Sequence, residues 1–170
     1  MSPQIRRVKA MSSAEQQRLF GWSSDPFGVA HLGLEWRPKD VHLLLELEGD
    51  PVSHVGLLRH EVQCGERLVQ IAGLGGVITV PEAQKRGYAS HLVQHASRLA
   101  LDEWAVSIGL LFCLPRMVPY YERLGWRAIE QPVEIDQSGG RIQAPMPVMV
   151  YPPGTGALLD APLVLESRPW

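Results

Sequence analysis

Between Val41 and Val80, three apolar-rich runs (Val41–Glu48, Val52–Gln63 and Arg67–Val80) are separated only by Gly49-Asp50-Pro51 and Cys64-Gly65-Glu66. Connections this short close hairpins and leave no room for the long crossover that parallel pairing needs, so the runs read as an antiparallel meander. After Pro81 the period changes. Ala89, Leu92, Val93, Ala96, Leu99, Ala100 and Trp104 recur at helical spacing, with Ser90, His91, Gln94, Ser97 and Arg98 between them. This predicts one amphipathic helix over 87–104. Ser107–Leu114 is a continuous apolar run, short enough for a buried strand. Met117–Leu124 reads as a short helix with Pro119 in its first turn and Gly125 placed to end it. Trp126–Val133 and Met146–Tyr151 are the last strand candidates, separated by a polar, Gly-rich loop. Upstream, Ser12 and Glu15 fit a capping box for a helix to about Phe20, while residues 21–38 have no clean period. Residues 152–170 carry no periodic signal and are expected to form an irregular tail. The order of elements predicts an α/β (α+β) fold: a mixed, mostly antiparallel sheet of about six to seven strands with helices on both faces, in a single domain over 1–170.

Composition narrows the function classes. A net charge of −2 gives no general basic surface for a phosphate polymer, which argues against nucleic acid as a partner. No apolar run reaches spanning length and the N-terminus lacks a signal-peptide core, so no membrane association is expected and the cytoplasm is the expected location. Two cysteines, Cys64 and Cys113, are too few for a disulfide scaffold or a structural zinc site. His91 and His95 stand at i, i+4 without a third ligand in view, so no metal is expected.

The chemistry concentrates in Val77-Ile78-Thr79-Val80-Pro81-Glu82-Ala83-Gln84-Lys85-Arg86-Gly87-Tyr88-Ala89-Ser90. A β-branched strand ends at Pro81, a polar loop follows, and a helix opens at a glycine. The first N–H groups of that helix lack intrahelical acceptors and lie at the positive end of its dipole, which suits an anion. Gly87 leaves room for close approach, small Ala89 extends that room, and Lys85 and Arg86 add charge. The segment thus reads as a diphosphate cradle, the plainer alternative being an ordinary strand–turn–helix with a solvated basic pair. It is not a Walker loop, since no Gly-Lys-Ser/Thr is present. Gly73-Leu74-Gly75-Gly76 is followed by strand residues, so those glycines mark a bulge or a close backbone approach within a strand.

Gln84-Lys85-Arg86-Gly87-Tyr88-Ala89 resembles the Gln/Arg-x-x-Gly-x-Gly/Ala signature of the GNAT superfamily of N-acetyltransferases. Pro119-Tyr120-Tyr121-Glu122-Arg123-Leu124-Gly125-Trp126 resembles its second signature, a short helix with a tyrosine followed by Gly and an aromatic. The likeness spans roughly residues 41–151. It implies a GNAT-like fold with acetyl-CoA as cosubstrate and a small-molecule or peptide amine as acceptor. In that frame the main chain of Ile78 and Val80 would meet the thioester and pantetheine arm. The segment Gln84, Lys85, Arg86, Gly87, Tyr88, Ala89, Ser90 would hold the pyrophosphate through its amides. Tyr121 would protonate the leaving thiolate, a phenol being suitably matched in pKa to a thiol. Dimers are common in the family, so a homodimer is compatible with the resemblance, although no interface signal stands out.

The sequence departs from the pattern where the family often places a base. Leu74, Gly75 and Gly76 cannot take a proton, which leaves His31, Glu35, His54, His60, Glu61, Glu134, Asp136 or a water chain as candidates. Cys113, on an apolar strand, reads as a core residue. Trp22, Phe27 and Trp36 fall in the segment that often lines the acceptor pocket, where they either pack on substrate or anchor the loop. A non-catalytic acyl-CoA-binding regulatory module remains the alternative to an enzyme.

Overall fold

The computed structural model describes residues 2–170. The strands are β1 (Gln4–Val8), β2 (Val41–Leu47), β3 (Asp50–Cys64), β4 (Arg67–Thr79), β5 (Ile108–Phe112), β6 (Arg127–Ala128), β7 (Val133–Gln137), β8 (Gly140–Gln143), β9 (Val148–Tyr151) and β10 (Leu163–Val164). The α-helices are α1 (Ser13–Phe20), α2 (Tyr88–Asp102) and α3 (Val118–Arg123). All strands belong to one 10-stranded sheet with the path β6-β9-β5-β4-β3-β10-β7-β8, to which β3 adds β2 and β2 adds β1. The expected meander is present as antiparallel β2–β3–β4. The described pairs are parallel only where β4 meets β5 and where β7 meets β10. The fold is therefore mixed α/β and mostly antiparallel, as expected, but its sheet is larger.

The additional strands have physical reasons for escaping a periodicity reading. β1 (Gln-Ile-Arg-Arg-Val) does not alternate, because it is an edge strand held partly by charge: Arg6 Nε donates to Glu46 Oε1 on β2 at 2.7 Å, and the same guanidinium meets Glu15 of α1. The polar Gly-rich loop is largely a hairpin in which Gln137 faces Gly140, and β8 is exposed throughout, so no hydrophobic pattern announces it. The expected strand Trp126–Val133 divides into β6, paired with β9, and the start of β7. The expectation of an irregular tail over 152–170 is corrected. Pro153–Leu158 forms a 3-10 helix, β10 pairs with both β3 and β7, and Leu159, Leu163, Leu165 and Trp170 are buried. Elements of two to six residues are too short to show a period.

The capping box forms as the sequence indicates. The Glu15 N–H donates to Ser12 Oγ at 3.2 Å and the Ser12 N–H to Glu15 Oε2 at 2.7 Å. Alternation along the strands divides the core in two. One cluster joins Leu57, Ala72, Leu74, Leu111 and Met149 to Leu92, Val93 and Ala96 of α2. The other joins Leu58, Ile71, Leu110 and Val150 to Leu159, Leu163, Leu165 and Trp170 from the C-terminal segment. No helix among the described residues is long and apolar enough to cross a membrane.

Candidate active site

β4 and β5 pair from Ile71/Ile108 to Leu74/Leu111; beyond that, β5 ends at Phe112 while β4 continues to Thr79. A bulge accompanies the parting. Opposite the step from His54 to Gly56 on β3, β4 runs from Ile78 to Gly75, one residue more, and Gly76 takes φ +61°. A left-handed residue of this kind favours glycine and bends the strand that carries it. Buried His54 ties the bulge down. Its Nδ1 lies 2.6 Å from the Gly76 carbonyl oxygen, which can only accept, so Nδ1 is the donor. Its Nε2 lies 2.8 Å from His42 Nδ1. Burial keeps this ring neutral and pushes its pKa down to about 3. Neutral His54 therefore accepts at Nε2, which makes His42 the donor in that bond.

The parted strands open a cavity of about 780 Å3. At one end of it the chain leaves β4, makes a 3-10 turn over Pro81–Ala83 and enters α2. Lys85 (φ +62°) and Gly87 (φ +80°) are both left-handed, which turns the backbone into a concave rim. The N–H groups of Lys85, Arg86, Gly87, Tyr88, Ala89 and Ser90 find no acceptor among the described residues, the first bond of the helix being His91 N–H to the Gly87 carbonyl at 3.0 Å. A Cβ built on Gly87 meets nothing within 4 Å. The glycine is thus required by its φ and by the open space in front of it, not by internal packing. Gln84 differs from the residues after it: its N–H donates to the Pro81 carbonyl at 3.3 Å and its side-chain amide to the Thr79 carbonyl at 3.0 Å, so it shapes the loop.

Of the residues singled out from sequence, Ile78, Gln84, Lys85, Gly87, Tyr88, Ala89, Ser90 and Tyr121 line the cavity. The side chain of Arg86 lies outside its wall, although its amide belongs to the rim. Val80 is the correction. It is fully buried, its N–H donates to the Val52 carbonyl at 2.9 Å, and its carbonyl accepts from the Ala83 N–H at 3.0 Å, so both main-chain groups are engaged inside the protein. The β4 edge from the bulge onward, Gly76 to Thr79, has no β5 partner and lines the cavity. The Ile78 carbonyl within that stretch already accepts from Ser53 Oγ at 2.9 Å.

Tyr121 reaches the cavity from α3. The residue is 6% exposed, and its ring stands edge-on to Tyr120 (centroids 5.0 Å apart) and Trp126 (6.5 Å). Burial raises its pKa above the ordinary phenol value, with like-charge repulsion from Tyr120 and Cys113 acting in the same direction. Half-buried Cys113 also faces the cavity; burial pushes its thiol up to about 11, so it stays neutral. Trp22, Phe27 and Trp36 line the cavity too. None of His31, Glu35, His54, His60, Glu61, Glu134 and Asp136 does. His60, for example, is turned away, its Nε2 lying 2.6 Å from the Leu165 carbonyl oxygen. Sequence reasoning missed Lys39 and Trp170, both on the cavity wall. The clue to Trp170 was the glycine run: a Cβ on Gly73 would overlap its indole, and one on Gly75 would sit 3.0 Å from its main chain.

Comparison with known proteins agrees with this fold. The family model described as an acetyltransferase (GNAT) domain matches residues 13–129. The solved structure of the GNAT family N-acetyltransferase YhbS from Escherichia coli, in complex with CoA, superposes with TM-score 0.62 at 16% identity, covering 96% of this chain and 89% of its own. A GNAT family acetyltransferase from Brucella melitensis, in complex with acetyl-CoA, gives 0.55 at 17% identity, covering 89% and 90%. A GCN5-related N-acetyltransferase from Kribbella flavida gives 0.51 at 21% identity over 74% of this chain, which spans only 34% of that longer protein. No curated protein sequence matched. The match of the family model over most of the chain, on a sheet that parts above an unpaired helix N-terminus, establishes that the chain belongs to the GNAT acetyltransferase family.

Proposed function

We propose that the protein is an N-acetyltransferase that moves the acetyl group of acetyl-CoA to a primary amine of a small molecule or peptide. The observation that carries this reading is the unpaired amide rim Lys85–Ser90 at one end of a cavity whose wall also presents Tyr121. A diphosphate fits the rim because successive N–H donors, the α2 dipole and the Lys85 ammonium all favour negative charge there, and Gly87 leaves the approach clear. The pantetheine arm then lies along the β4 edge beyond the bulge, where strand groups without a β5 partner can bind an extended amide chain. The acetyl group is a reactant supplied by the cosubstrate; the chain's own residues align and protonate.

The amine attacks as the neutral base. The side chains lining the cavity include no carboxylate and no imidazole, which leaves water and Lys39, whose pKa burial lowers to about 8, to take its proton before attack. Tyr121, kept protonated by burial, donates its hydroxyl proton to the sulfur as the C–S bond breaks, and the proton that the newly bonded nitrogen sheds in becoming an amide returns through water to restore the phenol. Most of the acceleration comes from holding the two reactants in line. The absence of a carboxylate or imidazole side chain from the wall gives the non-catalytic acyl-CoA-binding module its one specific argument. Titration with acetyl-CoA followed by thiol release in the presence of primary amines separates the readings. Binding with release supports the enzyme, binding without release for any amine supports the module, and no binding sinks both.

A further inference from the structure

The cavity passes through the sheet. Tyr121 and Cys113 line it and pack with the core on the face that carries α2 and α3. Phe112 and Trp170 line it too, and pack with the core on the opposite face. Glycines decide what covers that second face. Gly73 and Gly75 both point onto it from β4, with no side chain to fill the space above the strand. Trp170 fills it: Cβ built on Gly73 would sit 2.6 Å from Trp170 Nε1, and Cβ built on Gly75 would sit 3.0 Å from its main-chain carbonyl. The Lys39 stem completes the cover, because Gly56 faces Gly75 across β3 and β4, and Cβ atoms built on the two would lie 3.0 Å from Lys39 Cβ and 3.2 Å from Lys39 Cε respectively. The indole is also held in place. Its Nε1 donates to the carbonyl of Leu110, the β5 residue paired with Gly73, at 3.2 Å. Phe112 and His60 stand edge-on to it at 5.3 and 5.7 Å. The ring therefore bridges β4 and β5 at Gly73/Leu110, immediately before their last pair, Leu74/Leu111.

The acyl group of an acyl-CoA lies at the far end of the molecule from its diphosphate. With the diphosphate on the rim at α2 and the sulfur beside Tyr121, the acyl chain points through the parting of β4 and β5 towards the second face. We propose that Trp170 is the stop for that chain: its indole, wedged over Gly73 and bonded to Leu110, leaves room for acetyl and excludes chains of four carbons or more. The proposal rests on the acetyl-transfer reading above and adds to it a residue that sets acyl specificity. The ring cannot give way cheaply. Moving it would empty the space over Gly73 and break the buried bond to the Leu110 carbonyl.

Calorimetric titration with acetyl-, propionyl-, butyryl- and hexanoyl-CoA tests it without an acceptor. Wild-type affinity is expected to fall by at least about tenfold from acetyl- to butyryl-CoA, the scale of surplus methylenes in a fitted apolar pocket. Trp170→Phe and Trp170→Leu, checked for folding by circular dichroism, are expected to bring butyryl-CoA to within about threefold of acetyl-CoA, because the space that the indole vacates admits the longer chain. Equal binding of the two thioesters by wild type overturns the proposal, and so does an unchanged ratio in a folded variant. A second measurement, on wild type alone, decides the matter if neither variant folds. With acetyl-CoA isotopically labelled at its methyl group, filtered nuclear Overhauser effects are expected from that methyl to the Trp170 indole protons; contacts to other residues only overturn the proposal. The two levels stay apart: a protein that binds acetyl- and butyryl-CoA equally refutes the stop alone, whereas one that binds neither refutes the acetyl-transfer reading as well.

Discussion

The Ser90 hydroxyl donates to the Tyr120 hydroxyl at 3.1 Å, joining the first turn of α2 to α3 and fixing the neighbouring Tyr121 beside the amide rim. The residue that would hold phosphate is thus hydrogen-bonded to the immediate chain neighbour of the residue that would protonate sulfur.

Tyr121→Phe removes only the acidic hydroxyl. It is expected to lower kcat by about a hundredfold, the lower end of the range for general-acid catalysis, with acetyl-CoA affinity unchanged by titration. Ser90→Ala, which releases Tyr120 but leaves Tyr121 its proton, is expected to cost far less. Equal activity of Tyr121→Phe and wild type would remove the acid assignment.

The pH profile follows from the direction of the Tyr121 shift. A raised pKa keeps the phenol protonated at pH values where an ordinary tyrosine, near pH 10, begins to ionise. At saturating substrates kcat should rise with pH as the amine loses its proton and should show no descending limb below pH ~10. A fall centred below that value, absent in Tyr121→Phe, would contradict a buried acid.

His54 makes folding stability sensitive to acid. Its pKa is about 3 in the fold against 6.5 when solvated, so between those values the unfolded chain binds a proton that the folded chain does not. Its contribution is complete above pH ~6.5 and is lost as pH falls towards 3, amounting to a few kcal/mol. Denaturant midpoints measured from pH 7 to 4 should fall, and His54→Gln should flatten that dependence. The same variant loosens the Gly76 bulge and should weaken acetyl-CoA binding, because the cavity depends on the parting of β4 from β5.

Trp170 is 2% exposed, its indole lies over Gly73, and its Nε1 donates to the Leu110 carbonyl at 3.2 Å. Trp170→Ala should cost about 3–5 kcal/mol in chemical denaturation, the usual scale for emptying a buried aromatic site. A loss below about 1 kcal/mol would mean that the C-terminal segment does not belong to the core.

The meander, the long helix, the α3 turn and the amide rim were legible because each rests on local signals: hairpin spacing, 3.6-residue periodicity, a proline and a glycine at helix ends. The glycine run Gly73–Gly76 correctly marked a bulge and a close backbone approach, but what approaches is Trp170, nearly a hundred residues away in sequence, and no local pattern carries that. Lys39 escaped for the same reason. It precedes β2 in a stretch without period, and its position depends on Gly56 and Gly75 meeting across two strands. Val80 looked available because it ends a strand beside the loop; its engagement with Val52 depends on register, which periodicity does not specify.

The central claim, that the start of α2 holds a diphosphate, is tested most directly by calorimetric titration of wild type and Gly87→Glu with acetyl-CoA and with S-acetylpantetheine, which lacks the diphosphate. Because a side chain at position 87 meets no protein atom, the variant should fold, bearing only the modest strain of a left-handed non-glycine residue, roughly 1–2 kcal/mol. Wild type should bind acetyl-CoA far more tightly than S-acetylpantetheine, and Gly87→Glu should reduce the first to the level of the second. A folded Gly87→Glu protein that binds acetyl-CoA as tightly as wild type would contradict the account.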